Sequence, residues 1–386
     1  IIRKQKRTCS AVGQRRSSAT GKSYGRSSHG IRSMKNELKS VSLFSGCGGM
    51  DLGLEKAGFQ ISFATDNDKH CKATYEKNFP QSKFLLSRIG DISRSDIESA
   101  LGKDATDIDL LAGGPPCPPF SKSRFYRKDM PRALDDPNGL ETMEGYLNVL
   151  DWIRPRAFIL ENVKGLSYKV HSQALDTIVQ RAESLGYNVA LKTLNAANFG
   201  VPQMRERFFV VGLLDGEFKF PAPTHSKDGS NGLPKWPTAG SVMSDLDTEE
   251  NADDTGHFAG GKYHDLLKKI PPGENYLHLT AERGCANPVF KWRSRYWSYL
   301  LKLSPEKPSW TIQARRSNNM GPLHWRNRIL RIAEVKRLQS FPDHFWLSGT
   351  TEQQWRQIGN AVPPDLAHML GLELAKHLSK SIEVTA

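Results

Sequence analysis

Long apolar runs are missing from this chain. No stretch approaches the ~18 consecutive apolar residues of a membrane-spanning helix, and none reads as the apolar core of a secretory signal. Cysteine is scarce and scattered, five residues in 386 with no Cys-x-x-Cys pair, so neither a zinc site nor a disulfide framework is expected, and no metal is assigned. A reducing cytoplasm fits that usage. Acid is absent from residues 1–33, which hold nine Lys or Arg and no Asp or Glu. That segment contributes +9 of the net charge of +13. It is rich in Ser, Gly and Arg and nearly devoid of apolar side chains, so 1–33 reads as a disordered basic tail. Such a tail would add non-specific attraction for a polyanion. The favoured alternative is an upstream remnant, because Met34-Lys35-Asn36 resembles a start just ahead of the first strand.

What is present is the composition of a globular chain, 38% hydrophobic and 25% charged, long enough for one large domain and a smaller one. Apolar strands and amphipathic helices alternate. A strand over 41–44 enters the glycine turn Ser45-Gly46-Cys47-Gly48-Gly49 and then a helix over 50–57. Strand, glycine turn and helix together make a nucleotide-type binding turn, in which glycine lets a ligand approach the backbone. A second strand over 61–64 ends in Thr65-Asp66, an acid about 20 residues after the glycines that suits a ribose hydroxyl. Gly90-Asp91-Ile92 repeats the theme after 84–86, with Asp91 suited to accept from an adenine amino group. Each acid taken singly reads more readily as a solvated loop carboxylate; their recurrence at successive strand ends is what favours a site. Strands over 108–112, 157–160, 189–194 and 208–213 follow, with helices over 146–153 and 171–186. The alternation predicts an α/β fold, a doubly wound and mostly parallel sheet with its site at the carboxyl ends of the strands.

Chemistry concentrates at three places. Gly113-Gly114-Pro115-Pro116-Cys117-Pro118-Pro119-Phe120-Ser121 follows a buried strand and sets one thiol on a stiff loop, a placement a nucleophile needs, although taken alone the stretch reads more readily as a turn with an incidental cysteine. Glu161 closes an apolar strand, where desolvation would raise its pKa toward proton-donating range, although in isolation it reads more readily as an ordinary loop glutamate. Arg205 and Arg207 stand at alternate positions entering a strand. Alternate residues share a face, so the two guanidinium groups could converge, or could simply charge a strand edge.

Taken in order, Phe44-Ser45-Gly46-Cys47-Gly48-Gly49, Gly90-Asp91-Ile92, Gly114-Pro115-Pro116-Cys117, Glu161-Asn162-Val163, Gln203-Met204-Arg205-Glu206-Arg207, Arg337-Leu338-Gln339-Ser340-Phe341-Pro342 and Ile358-Gly359-Asn360-Ala361-Val362-Pro363-Pro364 resemble the ordered motifs of the cytosine-5 DNA methyltransferases. The resemblance covers roughly 40–375. It implies the Rossmann-like fold of the S-adenosylmethionine-dependent methyltransferases, with a catalytic domain formed by 34–220 and 345–386. Residues 221–344 would form a smaller, irregular target-recognition domain inserted into it. Cys117 would be the nucleophile toward C6 of cytosine, Glu161 the donor to N3, and Arg205 and Arg207 the cations that assist the thiolate and hold O2. Phe44, Gly46, Gly48, Asp66, Asp91, Ile92, Asn360 and Val362 would surround S-adenosylmethionine.

The expected partner is double-stranded DNA, contacted through Ser121, Gln203, Arg293, Arg295, Arg315 and Arg316, with the target base flipped out of the helix. A monomer is expected, working as a bacterial modification enzyme beside a possible restriction endonuclease of the same site. The run Lys291-Trp292-Arg293-Ser294-Arg295-Tyr296-Trp297 fits phosphates and grooves, or alternatively a strand with one charged and one packed face. His324 fits a structural role as well as a functional one. Pro118 stands where the family often has glutamine, Ala333 and Lys336 replace a usual arginine and alanine, and Asn138-Gly139-Leu140 matches its motif loosely. A tRNA-directed enzyme of the same chemistry and a catalytically inactive DNA-binding homologue are the competing readings.

Overall fold

The computed structural model describes residues 37–102, 107–116, 136–247 and 258–385. Cys117, Ser121 and the tail 1–33 lie outside the described residues. The main sheet has seven strands: β1 (Leu38–Leu43), β2 (Phe59–Asp66), β3 (Lys83–Leu86), β4 (Leu110–Gly113), β5 (Ala157–Val163), β6 (Asn188–Asn195) and, after the two-residue β7 (Gln203–Met204), β8 (Glu206–Leu213). Their spatial order is β3-β2-β1-β4-β5-β8-β6. β1, β2, β3, β4 and β5 pair in parallel, whereas β8 runs antiparallel to both β5 and β6. The order reverses between β1 and β4, and a cleft opens at the carboxyl ends of strands flanking such a switch.

β4 and the first four residues of β5 carry no polar side chain, because both faces of the sheet are covered there. Leu110, Ala112, Ala157 and Ile159 belong to one buried cluster, while Leu111, Phe158 and Leu160, one residue out of step, belong to the other. The second cluster packs under α3 (Arg94–Leu101), α4 (Pro137–Ile153) and α5 (Ser172–Ser184). The first packs under α1 (Gly49–Lys56) and the long α10 (Pro364–Thr385). It also continues through Ala239, Leu267, Leu300 and Leu330 of the irregular region. That region holds only short helices, among them α6 (Ala239–Met243) and α7 (His264–Lys269), and the two-residue strand β9 (Ser309–Trp310). It rejoins the sheet side through α8 (Ile332–Leu338) and α9 (Thr351–Asn360).

Three absent side chains let α10 and its approach close on α1. A Cβ on Gly49 would lie 2.5 Å from the Val362 carbonyl oxygen, one on Gly53 would run into the Pro364 carbonyl oxygen, and one on Gly371 would lie 2.7 Å from Ala57 Cβ. The cofactor-side motif near the start of the chain and Asn360–Val362 near its end are joined by backbone-to-backbone approach that only glycine permits.

Candidate active site

The switch point opens into a cleft of ≈ 780 Å³, within the range of small-molecule sites. Its first wall is the turn between β1 and α1. Phe44, Gly46 and Gly48 all have positive φ, 53°, 56° and 86°. Phe44 has a Cβ, so its left-handed backbone costs about 1–2 kcal/mol and persists only where neighbours enforce it. Ser45 is the enforcer: its N–H donates to the Thr65 carbonyl at 3.0 Å and its carbonyl accepts from Gly48 N–H at 2.9 Å. Gly46 N–H donates to Asp66 Oδ2 at 3.0 Å, and Asp68 N–H donates to Asp66 Oδ1 at 2.9 Å. Burial pushes the Asp66 carboxyl up, and those two N–H donors oppose the push.

Of the residues expected around the cofactor, Phe44, Gly46, Asp66, Asn360 and Val362 line the cleft. Gly48, Asp91 and Ile92 do not. Gly48 lies one layer back, where a Cβ would collide with the Phe79 ring. Ile92 is buried in the second core cluster. Asp91 is exposed, at the end of the short 3₁₀ turn Ile89–Asp91, so its neighbours Arg88 and Ile89 line the cleft in its place.

The opposite wall carries the carboxyl–guanidinium pair. β5 runs on to Val163, so Glu161 lies inside the strand rather than beyond its end. It is buried, and Arg207 Nε stands 2.8 Å from its Oε1. Burial raises the Glu161 carboxyl above its ordinary value, and the cations of Arg207 and Arg205 oppose the rise. A Cβ on Gly114 would lie 2.9 Å from Glu161 Oε2, so the carboxyl rests against the backbone that leads, three residues later, to Cys117. Asn162 pins the same loop: its Nδ2 donates to the Pro115 carbonyl at 3.2 Å.

Arg205 and Arg207 do not share a face, which corrects the alternate-position expectation. The strand breaks at Arg205, between β7 and β8, and side-chain alternation does not carry across the break. Arg207 enters the cleft. Arg205 is fully buried, and its guanidinium donates to the carbonyls of Ile312, Gly359, Asn360 and Ala361 at 3.1, 2.8, 3.3 and 2.9 Å. It is a clamp within the protein, not a contact for a base. Gln203 likewise faces inward instead of toward DNA: it is fully buried and its amide bonds Ile312 N–H, the Leu338 carbonyl and Gln339.

Of the other expected DNA contacts, Ser121 lies outside the described residues and three of the four arginines reach the surface. Arg293, Arg295 and Arg315 are exposed, and Arg316 pairs with Glu352 at 3.1 Å. The run 291–297 is a succession of turns, not a strand. Its backbone is tied down by Asn275 Nδ2 to the Trp297 carbonyl and by Tyr276 Oη to the Arg295 carbonyl, 2.7 and 2.8 Å. His324 resolves to a structural role. It is fully buried, its Nδ1 accepts from Arg326 N–H at 3.1 Å, and burial pushes its pKa down to about 4, leaving a neutral ring.

Sequence reading overlooked two ion pairs whose residues line the cleft: Arg356 with Asp68 and Arg88 with Glu141, each at 2.6 Å. One signal was available. Arg356 and Asn360 are four apart on α9 and therefore face the same way. Among the described residues no group of three or more His, Cys, Asp or Glu could hold a metal ion, and no helix is long and apolar enough to cross a membrane.

The sequence profile of C-5 cytosine-specific DNA methylases matches residues 38–376. The type II methyltransferase M.SacI of Streptomyces achromogenes is 38% identical over 372 residues, covering 89% of this chain and 94% of that protein. M.NgoFVII of Neisseria gonorrhoeae is 34% identical over 360 residues, with 90% and 88% covered. Among solved structures, a prophage-encoded Escherichia coli protein described as a candidate DNA modification methyltransferase superposes with a TM-score of 0.64 at 22% identity, covering 89% of this chain and 99% of that one. The Schizosaccharomyces pombe Dnmt2 methyltransferase superposes at 0.59 and 16%, with the same coverage. At those identities the superpositions speak to the fold alone.

Proposed function

The chain belongs to the C-5 cytosine-specific DNA methylase family, and from that premise we propose that it methylates C5 of a cytosine extruded from a specific site in duplex DNA, using S-adenosylmethionine. The observation that carries the reading is the Glu161–Arg207 pair, which lines the cleft and is buried against the backbone of Gly114, the residue three positions before Cys117 in sequence. S-adenosylmethionine suits the opposite wall on chemical grounds. Asp66 retains acceptor capacity for a ribose diol, and the space where a Gly46 side chain would stand has no atom within 4 Å. The cleft is lined by the carboxylates of Asp66, Asp68, Asp136, Glu141 and Glu161 against the cations of Arg88, Arg207 and Arg356, and that acidic excess favours a cationic ligand. When bound there, the cofactor supplies an electrophilic methyl group on a sulfonium. Phe44, Gly46, Asp66, Asn360 and Val362 would hold it.

In this reading the Cys117 thiolate bonds to C6 of the pyrimidine while Glu161 places a proton at N3, which makes C5 nucleophilic. Arg207 orients the Glu161 carboxyl and supplies positive charge for the O2 edge and for the thiolate. C5 would then take the methyl group that the bound cofactor supplies; loss of the C5 proton breaks the C6–S bond, the N3 proton returns to Glu161, and the thiolate and the aromatic 5-methyl ring are restored. The target base must leave the helix, since a duplex shields C6 from a protein nucleophile. Duplex DNA is the substrate, the enzyme acts as a monomer in the bacterial cytoplasm, and a restriction endonuclease of the same site is the natural companion. The exposed arginines 293, 295 and 315, together with Arg316, are the DNA contacts.

Incubation with duplex DNA containing 5-fluorocytosine and S-adenosylmethionine tests the chemistry. The fluorine cannot leave as a proton does, so a covalent protein–DNA complex should accumulate with wild type and be absent with Cys117→Ser. Wild-type protein that forms no adduct, and leaves cytosines of host DNA unmethylated by bisulfite sequencing, would refute the reading. Methyl transfer to tRNA but not to duplex DNA would move it to the RNA substrate.

A further inference from the structure

The segment that carries Arg315 and Arg316 is gripped from beneath through its backbone. Ile312 is held by both of its peptide groups: its N–H donates to Gln203 Oε1 at 3.0 Å, and its carbonyl accepts from Arg205 Nη1 at 3.1 Å. Gln203 and Arg205 are both fully buried. The same guanidinium reaches the end of α9 through Nη2, which donates to the Gly359 and Ala361 carbonyls at 2.8 and 2.9 Å. Gln203 also meets Gln339 Oε1 at 3.0 Å, and Gln339 Nε2 donates to the Ile358 carbonyl at 2.7 Å.

One residue past Ile312 the grip continues. Trp355 Nε1 of α9 donates to the Gln313 carbonyl at 2.8 Å. A Cβ on Gly359 would stand 2.6 Å from that carbonyl and 2.7 Å from Ala314 Cα. The segment therefore lies directly on α9, and the last residue of α9, Asn360, is part of the cleft wall together with Val362. Carbonyls that lose their donors inside a core are left without water to replace them. Arg205 thus joins the segment and the Asn360–Val362 wall in one buried hydrogen-bond network.

We propose that Gln203 and Arg205 are positioning residues that couple the 312–316 segment to the Asn360–Val362 wall, so that order imposed at one ligand's site is inherited by the other's. The inference rests on the reading above, in which 315–316 faces DNA and the cleft holds the cofactor. A coupling of this kind is reciprocal: DNA must tighten the cofactor-derived ligand by the factor by which that ligand tightens DNA.

The test is the dissociation constant of S-adenosylhomocysteine, measured by calorimetry with and without a saturating duplex that the wild type methylates. In wild type the duplex should tighten binding about fivefold or more, and in Arg205→Lys and Gln203→Met the gain should fall below about twofold. Lysine keeps the charge but cannot span four carbonyls; methionine keeps the volume but can neither accept from Ile312 N–H nor donate to Gln339. A residue with a merely packing role would alter melting temperature and leave that ratio unmoved. If Arg205→Lys fails to fold, Gln203→Met decides alone: loss of the gain supports the coupling, and its retention overturns it. A wild type that methylates duplex DNA yet shows no gain overturns the coupling and spares the proposed function. A wild type that methylates no duplex overturns both.

Discussion

Arg207→Met should destabilise the protein by an amount that depends steeply on pH. The reasoning starts from the 2.8 Å Glu161–Arg207 contact, whose side chains are 10% and 12% exposed. Arg207 is the largest influence opposing the burial that lifts the Glu161 carboxyl. Without it, a desolvated carboxylate would stand alone, and the folded protein escapes by taking up a proton. The unfolded chain titrates as an ordinary glutamate near pH 4.3, so neutralising Glu161 on folding costs about 4 kcal/mol at pH 7 and about 1 kcal/mol at pH 5, which caps the penalty at each pH. The sign follows from the raised folded pKa: stability is intact below the unfolded pKa and is lost as pH rises toward the folded one. Urea unfolding followed by tryptophan fluorescence at pH 5 and pH 7 reads the difference directly. The double variant Glu161→Gln/Arg207→Met should lose most of the pH dependence of that penalty, because the pair's titrating group is gone. An Arg207→Met penalty that is equal at the two pH values, or a double variant that recovers none of it, would show that the pair is not the electrostatic unit described.

The remaining expectations concern catalysis, a buried acid and a helix contact. Glu161→Gln should lower kcat by about 10²–10⁴-fold through loss of proton delivery; equilibrium binding of S-adenosylhomocysteine and of duplex DNA should change little, and a variant retaining near-wild-type turnover would remove Glu161 from the chemistry. Asp51 of α1 is fully buried, and burial pushes its carboxyl up to about 6. Its charged form therefore weakens the fold above that pH, and Asp51→Asn should gain up to about 3 kcal/mol at pH 8 and nothing near pH 4. A melting-temperature series across that range checks it, and a gain independent of pH would contradict the assignment. Gly53→Ala should destabilise by about 1–3 kcal/mol despite alanine's better helix propensity, because the added methyl meets the Pro364 carbonyl oxygen and stands 2.6 Å from both Ala367 Cβ and His368 N. Higher stability in thermal melts would mean that α1 and α10 are less tightly apposed than described.

Much of the architecture was readable before any coordinates. Apolar runs with β/α alternation report the sheet, because a strand buried on both faces needs no polar positions, and the residues at 110–113 and 157–160 have none. The glycine turn announced a ligand wall for the same local reason: Gly46 and Gly48 occupy backbone conformations that other residues reach only under strain. Ordered motifs carried the family. Each of these signals is local in sequence, set by a few neighbouring residues and by simple periods of two or 3.6.

Long-range contacts decided the rest. Arg205 and Arg207 look equivalent at alternate positions, yet a break in the strand sends one into the protein to hold carbonyls more than a hundred residues away and the other to Glu161. Gln203 has the chemistry of a base reader but spends its amide on Ile312 and Gln339. Asp91 has the chemistry of an adenine partner but ends a 3₁₀ turn outside the cleft, while Arg356 and Asp68, unremarkable in sequence, meet at its edge. A polar side chain's role depends on which distant backbone groups are buried beside it, and that is set by chain packing, not by spacing along the chain.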